Sequence, residues 1–236
     1  FLSTGPVDRV QRPVKLIVAN ERALAAGTRY VDADLNRLFP GVPDSDVHEE
    51  QLAHALHNKI EDCMTLGIHA TVSFAEPFGT LADPTPLKTD LMRALPVDYA
   101  ADFSGVVEGR SVNLGQFINV EAGYQGSASA VENAYGCLLA YLRATDVLPG
   151  ATDPTPTVHY RVDEPIRKAP DQSYEVCAEN FDRVPSGEAY AVSAAGGQLT
   201  ADEPFWPVLL SADGHETLLG YRARRVGTLG DTAGQS

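Results

Sequence analysis

The sequence has few lysines, few cysteines and no long apolar run. Its 18 basic residues include only four lysines against 32 acidic residues, and the formal net charge is −14. Nucleic acids and anionic membranes both attract clustered lysine and arginine, so this charge argues against either as a partner. An acidic excess with little lysine also suggests a halophilic protein, because salt screens the self-repulsion.

The three cysteines are scattered and form no Cys-x-x-Cys spacing, so they indicate neither a disulfide framework nor a zinc ribbon. We therefore expect a reducing, cytoplasmic location. No run approaches the roughly 18 apolar residues that a membrane span needs, and no signal-peptide pattern opens the chain. With 44% hydrophobic residues, the 236-residue chain can bury a substantial core. These totals leave open whether it forms a homo-oligomer.

Strand-like apolar runs alternate with amphipathic stretches in the first two thirds of the chain, which predicts an α/β layered sheet. For the predicted helix at 47–63, the sequence predicts Asp46 as the N-cap and Glu49 as its partner in a capping box. Its Glu50, His54, His57 and Glu61 fall opposite the apolar stripe, so we expect them to face water rather than a metal. The predicted strands are 14–19, 64–71 and 116–121, and the predicted helices are 47–63 and 127–145.

The composition changes at a Pro/Thr-rich stretch, residues 149–157, which we interpret as a linker. Residues 1–148 then form an α/β catalytic domain, residues 158–227 a small β-rich domain, and residues 228–236 a flexible tail. The second half contains His159 and His215, to which the sequence assigns no role. Residues 76–89 are Pro-rich and are predicted to be a loop, followed by a helical turn at 90–95.

The loop at 27–41 sets Arg29, Asn36 and Arg37 beside two aspartates and ends in a Pro-Gly turn. An arginine fork can bind a carboxylate through two hydrogen bonds, and an asparagine amide adds a third donor. The alternative is that the arginines simply pair with Asp32 and Asp34. The loop alone favours this ordinary ion pairing.

Two more polar residues stand near the ends of predicted strands: His69 and Glu121. In open α/β sheets, ligands bind beyond the carboxyl ends of the strands. Each residue alone is more commonly structural. A carboxylate in an apolar sheet mouth would nevertheless have a raised pKa, which suits proton transfer.

Three motifs together carry a family resemblance: Asp-Leu-Asn-Arg-Leu-Phe-Pro-Gly at 34–41, His-Ala-Thr at 69–71 and Val-Glu-Ala-Gly-Tyr-Gln-Gly at 120–126. In order and spacing they resemble the succinylglutamate desuccinylase/aspartoacylase family. This is a family of zinc-dependent amidohydrolases related to the zinc carboxypeptidases. Residues 179–188 are similar to the family's C-terminal β domain. The resemblance implies a zinc-carboxypeptidase-like mixed sheet flanked by helices, with a small C-terminal β-rich domain.

The resemblance also implies a deacylase that cleaves the amide bond of an N-acyl amino acid or a similar carboxylate-bearing small molecule. His69 would be a zinc ligand, and Glu121 would be the general acid/base that activates the zinc-bound water. Zinc lowers the pKa of its water to about 7 and polarises the scissile carbonyl. The residues that would bind the substrate carboxylate are Arg29, Asn36, Arg37 and Arg110.

Two departures from the family pattern affect the metal half of the site. The family's His-Gly-x-Glu motif, which supplies two zinc ligands, does not occur in the sequence, and Gly67 stands where the family usually has aspartate. We therefore expect an N-terminally truncated member that binds zinc weakly and is inactive as given. Two alternatives stay open: a zinc carboxypeptidase-like peptidase, and a metal-free carboxylate-binding module.

Overall fold

A computed structural model describes residues 5–231. Its main feature is a seven-stranded mixed sheet with the strand order β1-β4-β2-β3-β5-β10-β9, beside a three-stranded sheet β6-β7-β8. The strands are β1 Met64–Thr71, β2 Phe78–Leu81, β3 Tyr99–Asp102, β4 Gln116–Tyr124, β5 Val158–Arg167, β6 Tyr174–Val176, β7 Ala189–Ser193, β8 Gln198–Thr200, β9 Trp206–Val208 and β10 Leu218–Thr228. The helices are α1 Glu21–Ala26, α2 His48–Ile60, α3 Pro86–Arg93 and α4 Ala128–Ala144.

The directions of the strands decide which of their carboxyl ends, and so which loops, lie at the same end of the sheet. β1 runs parallel to β4, and β2 runs antiparallel to β4 but parallel to β3, which in turn is parallel to β5. The carboxyl ends of β1 and β4 therefore lie together, at the opposite edge from those of β2, β3 and β5. The predicted α/β class with a mixed sheet flanked by helices is confirmed.

The predicted helix at 127–145 is observed as α4, and its ends explain its limits. Ser127 caps it by accepting from the Ala130 N–H at 3.1 Å, and the hydroxyl of Thr145 donates back to the Tyr141 carbonyl at 2.8 Å. Cys137 is fully buried and Leu142 is 2% exposed, whereas Val131 is 69% exposed. The predicted helix is confirmed.

The predicted strand at 14–19 is wrong. Residues 12–19 contain no helix or strand, and none of their backbone N–H groups donates to another backbone group of the described chain. Val14, Leu16, Ile17 and Val18 are 39 to 54% exposed. An apolar run becomes a strand only when a partner strand lies beside it, and no described strand pairs with this one.

Among the described residues, strand β1 has one edge without a partner strand. Within residues 5–231, β1 pairs only with β4, so it forms one border of the large sheet. Met64 and Ile68 on β1 are 40% and 42% exposed. The predicted strand at 64–71 itself is confirmed.

Helix α2 begins at His48 rather than 47, and its N-cap differs from the prediction. Val47 occupies the cap position without a side-chain bond, and the carboxylate of Asp32 accepts from the His48 N–H at 2.9 Å. Asp46 is therefore not the cap. Glu49 does not close a capping box, because it turns inward and is completely buried.

The polar stripe on α2 is only partly exposed to water. Glu61 is exposed, but Glu50, His54 and His57 are half-buried. Leu56 and Ile60 lie on the buried face as predicted, together with Ala53.

The stretch from 76 to 102 contains more regular structure than its prolines suggested. Instead of one long loop at 76–89, it forms the buried strand β2 and the beginning of α3, and the helical turn predicted at 90–95 is the end of α3. Pro86 opens α3 at its first position, where a missing N–H is no loss, and Thr85 caps it. β3 was not predicted at all, since four residues carry too little periodicity.

The large sheet continues past the predicted linker. β5 extends it parallel to β3, and β10 and β9 follow, so among the described strands β6 to β8 form the separate sheet. The division into two domains at 149–157 stays a prediction, although the hydrogen-bonded sheet crosses it.

The first two residues of the predicted tail, Thr228 and Leu229, are part of the fold. β10 runs through Thr228, and Leu229 is buried with its N–H donating to the Thr157 carbonyl at 2.8 Å. Residues 1–4 and 232–236 lie outside the described part of the chain. No helix among the described residues is long and apolar enough to cross a membrane.

Candidate functional site

His69 and Glu121 are neighbours across the β1–β4 pair, where they stand directly opposite in register. Because side chains alternate along a strand, both lie on one face together with Gly67 and Asn119, which form another opposed pair. His69 and Glu121 line a cleft of about 730 Å³. The structure thus brings together the two residues that the sequence placed near strand ends.

Asn119 orients His69, a contact that sequence reasoning missed. His69 Nε2 lies 3.2 Å from Asn119 Oδ1, and because an amide oxygen only accepts, Nε2 carries the proton and Nδ1 is left free. Asn119 fits only because residue 67 is glycine: a Cβ there would lie 2.0 Å from its Oδ1. Gly67 cannot itself orient the site as a carboxylate could, and Asn119 on the neighbouring strand contacts His69 instead.

The predicted carboxylate-binding arm is a compact network around Asp34. Asp34 caps the short 3-10 helix Leu35–Arg37 by accepting from the Asn36 N–H at 3.1 Å. Its Oδ2 accepts from Arg29 at 2.9 Å and lies 3.6 Å from Arg37. Burial alone would raise the pKa of Asp34, but Arg37 and Arg29 hold it below its usual value. Of the ordinary ion pairs that the loop suggested, those with Asp34 are present, whereas Asp32 accepts from the His48 N–H instead.

Two contacts attach this arm to the segment that carries Arg110. Asn36 Oδ1 accepts from the Ser111 N–H at 2.9 Å, and the Phe39 N–H donates to the Gly109 carbonyl at 3.0 Å. Gly109 has φ 68° and no space for a Cβ, which would lie 2.3 Å from the Arg37 carbonyl oxygen. Because Asn36 Oδ1 accepts from Ser111, the side-chain amide nitrogen of Asn36 is the atom that can donate to a ligand.

Arg110 lines the same cleft and donates to the hydroxyl of Tyr221 on β10 at 2.9 Å. All four predicted carboxylate-binding residues line the cleft with His69 and Glu121. Tyr221 was missed, because a tyrosine in a C-terminal strand gives no sequence signal of its place in the sheet.

Burial raises the pKa of Glu121, against the opposing effects of His69, Arg29 and Arg110. A carboxyl group with a raised pKa holds a proton more readily near neutral pH, which suits a group that accepts and then donates a proton.

A zinc site is not complete among the described residues. Catalytic zinc takes about three protein ligands. His69 and Glu121 stand opposite each other in register, but within residues 5–231 no group of three or more His, Cys, Asp or Glu side chains could hold a metal. The donors present do not fit zinc by themselves.

Glu49 holds the other end of the arm and was missed as an interior residue. Its carboxylate accepts from the backbone N–H groups of Val31, Asp32 and Ala33 at 2.6, 3.0 and 3.1 Å, and from the Asn20 amide at 3.0 Å. Although burial opposes ionisation, these donors lower the pKa of Glu49 to about 2. It therefore fixes the backbone between Arg29 and Asp34.

Known proteins share sequence features and the fold with this chain. Residues 4–82 match the model of the succinylglutamate desuccinylase/aspartoacylase catalytic domain. That segment contains Arg29, Asn36, Arg37 and His69, whereas Arg110 and Glu121 lie outside it. No curated protein matches the chain.

Solved structures share the fold at low identity. The succinylglutamate desuccinylase/aspartoacylase of Rhodobacter sphaeroides is 20% identical, with a TM-score of 0.68 over 88% of this chain and 73% of that one. Murine aminoacylase 3 is 19% identical, with a TM-score of 0.69 over 94% and 88%. The succinylglutamate desuccinylase of Vibrio cholerae is 19% identical, with a TM-score of 0.67 over 89% and 69%. The resemblance drawn from the three motifs is confirmed.

Proposed function

We propose that this cleft binds a carboxylate-bearing N-acyl amino acid and serves hydrolysis of its amide bond. The match of residues 4–82 to the succinylglutamate desuccinylase/aspartoacylase catalytic domain supports this proposal. The observation that carries the proposal is the placement of three arginines, Arg29, Arg37 and Arg110, around the cleft that holds His69 and Glu121. Among the described residues, Asp34 is the carboxylate that pairs with Arg29 and Arg37. The cleft therefore keeps cationic N–H donors that can bind a ligand carboxylate.

The chain's own residues divide the work between binding and proton transfer. Arg37, Arg110 and the Asn36 amide hold the substrate carboxylate and so orient the amide. Glu121 accepts a proton from the attacking water and delivers it to the amine nitrogen as the C–N bond breaks. His69, with Nε2 engaged by Asn119, presents Nδ1 and is the proposed zinc ligand of this chain.

Catalysis by zinc would require ligands beyond those described, so we expect little hydrolysis by the chain with zinc alone. A version extended at its amino terminus by a strand carrying His-Gly-x-Glu is expected to release free glutamate from N-succinylglutamate. In that version Glu121→Gln should lower kcat by about 10² to 10⁴, typical of a lost general acid/base, while zinc stays bound. Full turnover by the Glu121→Gln variant would exclude the assigned role.

A metal-free carboxylate-binding module is a second candidate, favoured by the incomplete metal site beside an intact arginine arm. Zinc content of the purified chain separates the two classes. Stoichiometric zinc would require ligands that the described residues do not show. A zinc-free chain that binds succinate and stays inactive after the extension would favour the binding module.

A further inference from the structure

The loop between β9 and β10 forms one wall of the cleft, although sequence reasoning gave it no role. Asn180 fixes its beginning by donating to the Leu210 carbonyl at 3.0 Å and accepting from the Leu210 N–H at 2.7 Å. The same amide nitrogen donates to the carbonyl of Ser73, two residues beyond β1, at 2.8 Å. The loop is therefore attached to the strand that carries His69.

Within this loop, His215 has a fixed position and orientation. Lys168 donates to its carbonyl at 2.7 Å and also to the carbonyl of Ala212. The Thr217 N–H donates to His215 Nδ1 at 3.2 Å. With Nδ1 accepting, the neutral ring carries its proton on Nε2.

His215 Nε2 makes no hydrogen bond with any residue from 5 to 231, and the side chain lines the cleft. The adjoining Gly214 lies against Val72, where an added Cβ would be 3.3 Å from the valine Cγ2. This contact brings the loop to the end of β1, on the same side as the arginine arm.

The charges that face His215 are mainly cationic. Burial lowers its pKa, and Arg37, Arg29 and Arg110 lower it further, opposed by Asp34. The exposed Asp213 lines the cleft on the same loop. Near neutral pH the ring therefore favours the uncharged form that donates from Nε2.

We propose that His215 contacts the substrate and helps to determine its specificity, by donating a hydrogen bond from Nε2 to a carboxylate held among the three arginines. This assignment rests on the proposed function of the cleft. It gives the C-terminal half of the chain a direct part in recognition, since His215 follows residue 82, where the family match ends.

The test uses succinate as the probe and the full chain labelled with ¹⁵N-histidine. Succinate is expected to shift the His215 Nε2 resonance, which the His215→Ala variant identifies by its loss. By calorimetry, His215→Ala should weaken succinate binding about five-fold, the effect of losing one typical hydrogen bond. His215→Gln, which keeps an N–H donor, should retain part of the affinity. The matched control His54→Gln, on α2 outside the cleft lining, should bind as the parent does.

Each result decides the assignment. An unshifted His215 resonance in the parent chain, or unchanged affinity in His215→Ala, overturns the role of His215. If Arg37→Gln still weakens binding in that case, the carboxylate site stands without it. If the parent chain binds no succinate, the carboxylate-binding function is wrong and the inference falls with it. The resonance shift is measured on the unsubstituted chain, so it does not depend on how a variant folds.

Discussion

At the scale of single residues, Gly67 on β1 and Asn119 on β4 together determine the environment of His69. Gly67 stands where the family usually has an aspartate, and Asn119 on β4 fills the vacated space and contacts His69. An amide oxygen orients an imidazole through the same hydrogen bond as a carboxylate, but without a negative charge. The glycine is therefore part of the site.

We predict that Gly67→Ala destabilises the protein by about 1 to 3 kcal/mol, as overpacking of a core does. The added Cβ would lie 2.0 Å from Asn119 Oδ1 and 2.8 Å from the ring of Phe117, so Asn119 must move away from His69. Urea unfolding monitored by circular dichroism measures the change.

Gly136→Ala provides the control, because this α4 glycine has nothing within 4 Å of an added Cβ. There the change should stabilise by up to about 1 kcal/mol, since alanine is the better helix former. The steric explanation also requires that Asn119→Gly restore much of the stability of Gly67→Ala. Equal destabilisation with and without that second change would contradict it.

At the scale of the element, Glu49 joins α2 to the loop that carries the arginines. Replacing it by glutamine removes the charge that four donors share and should cost at least about 2 kcal/mol, since hydrogen bonds to charged groups are worth more than neutral ones. The neighbouring Glu50→Gln should be nearly neutral, because the Glu50 side chain makes no hydrogen bond within the described chain. Chemical unfolding of both variants gives the comparison.

The same carboxylate predicts how stability depends on pH. The pKa of Glu49 is lowered from 4.5 to about 2, so its contribution is fully present above pH 4.5 and is lost as pH falls towards 2. Asp102 acts in the same direction, because His159, Ser104 and Arg161 overcome the effect of burial and hold its pKa well below the usual range. Thermal unfolding between pH 7 and 3 should show a steeper acid loss for the parent chain than for Glu49→Gln. Parallel profiles would contradict this.

Long periodic segments and specific motifs could be predicted from the sequence, whereas the pairing of strands and the contacts between distant segments could not. The helix α4 and the strand β1 were found because their patterns are local. The run at 14–19 has the composition of a strand, but whether it becomes one depends on a partner that composition cannot reveal. Likewise, Arg29, Asn36 and Arg37 were found through their motif, whereas Glu49 and Asn119 act through contacts with distant segments.

For the whole molecule, the net charge of −14 sets the response to salt. Self-repulsion among the acidic side chains opposes the compact state. Salt screens this repulsion, because the Debye length falls to about 3 Å at 1 M. We predict that the melting temperature rises from dilute buffer to 2 M KCl. Calorimetry at both concentrations tests this, and equal stability in the two would contradict adaptation to high salt.

Within the described residues, β1 has an edge without a partner strand, and this edge gives the net charge a second consequence, for aggregation. Unpaired strand edges with apolar side chains, such as Met64 and Ile68, are templates on which other chains can add. Repulsion between equally charged molecules keeps those edges apart in dilute salt, and screening removes that protection. Salt that stabilises each molecule would thus also promote aggregation between molecules, so the solubility of the folded protein should fall as ionic strength rises.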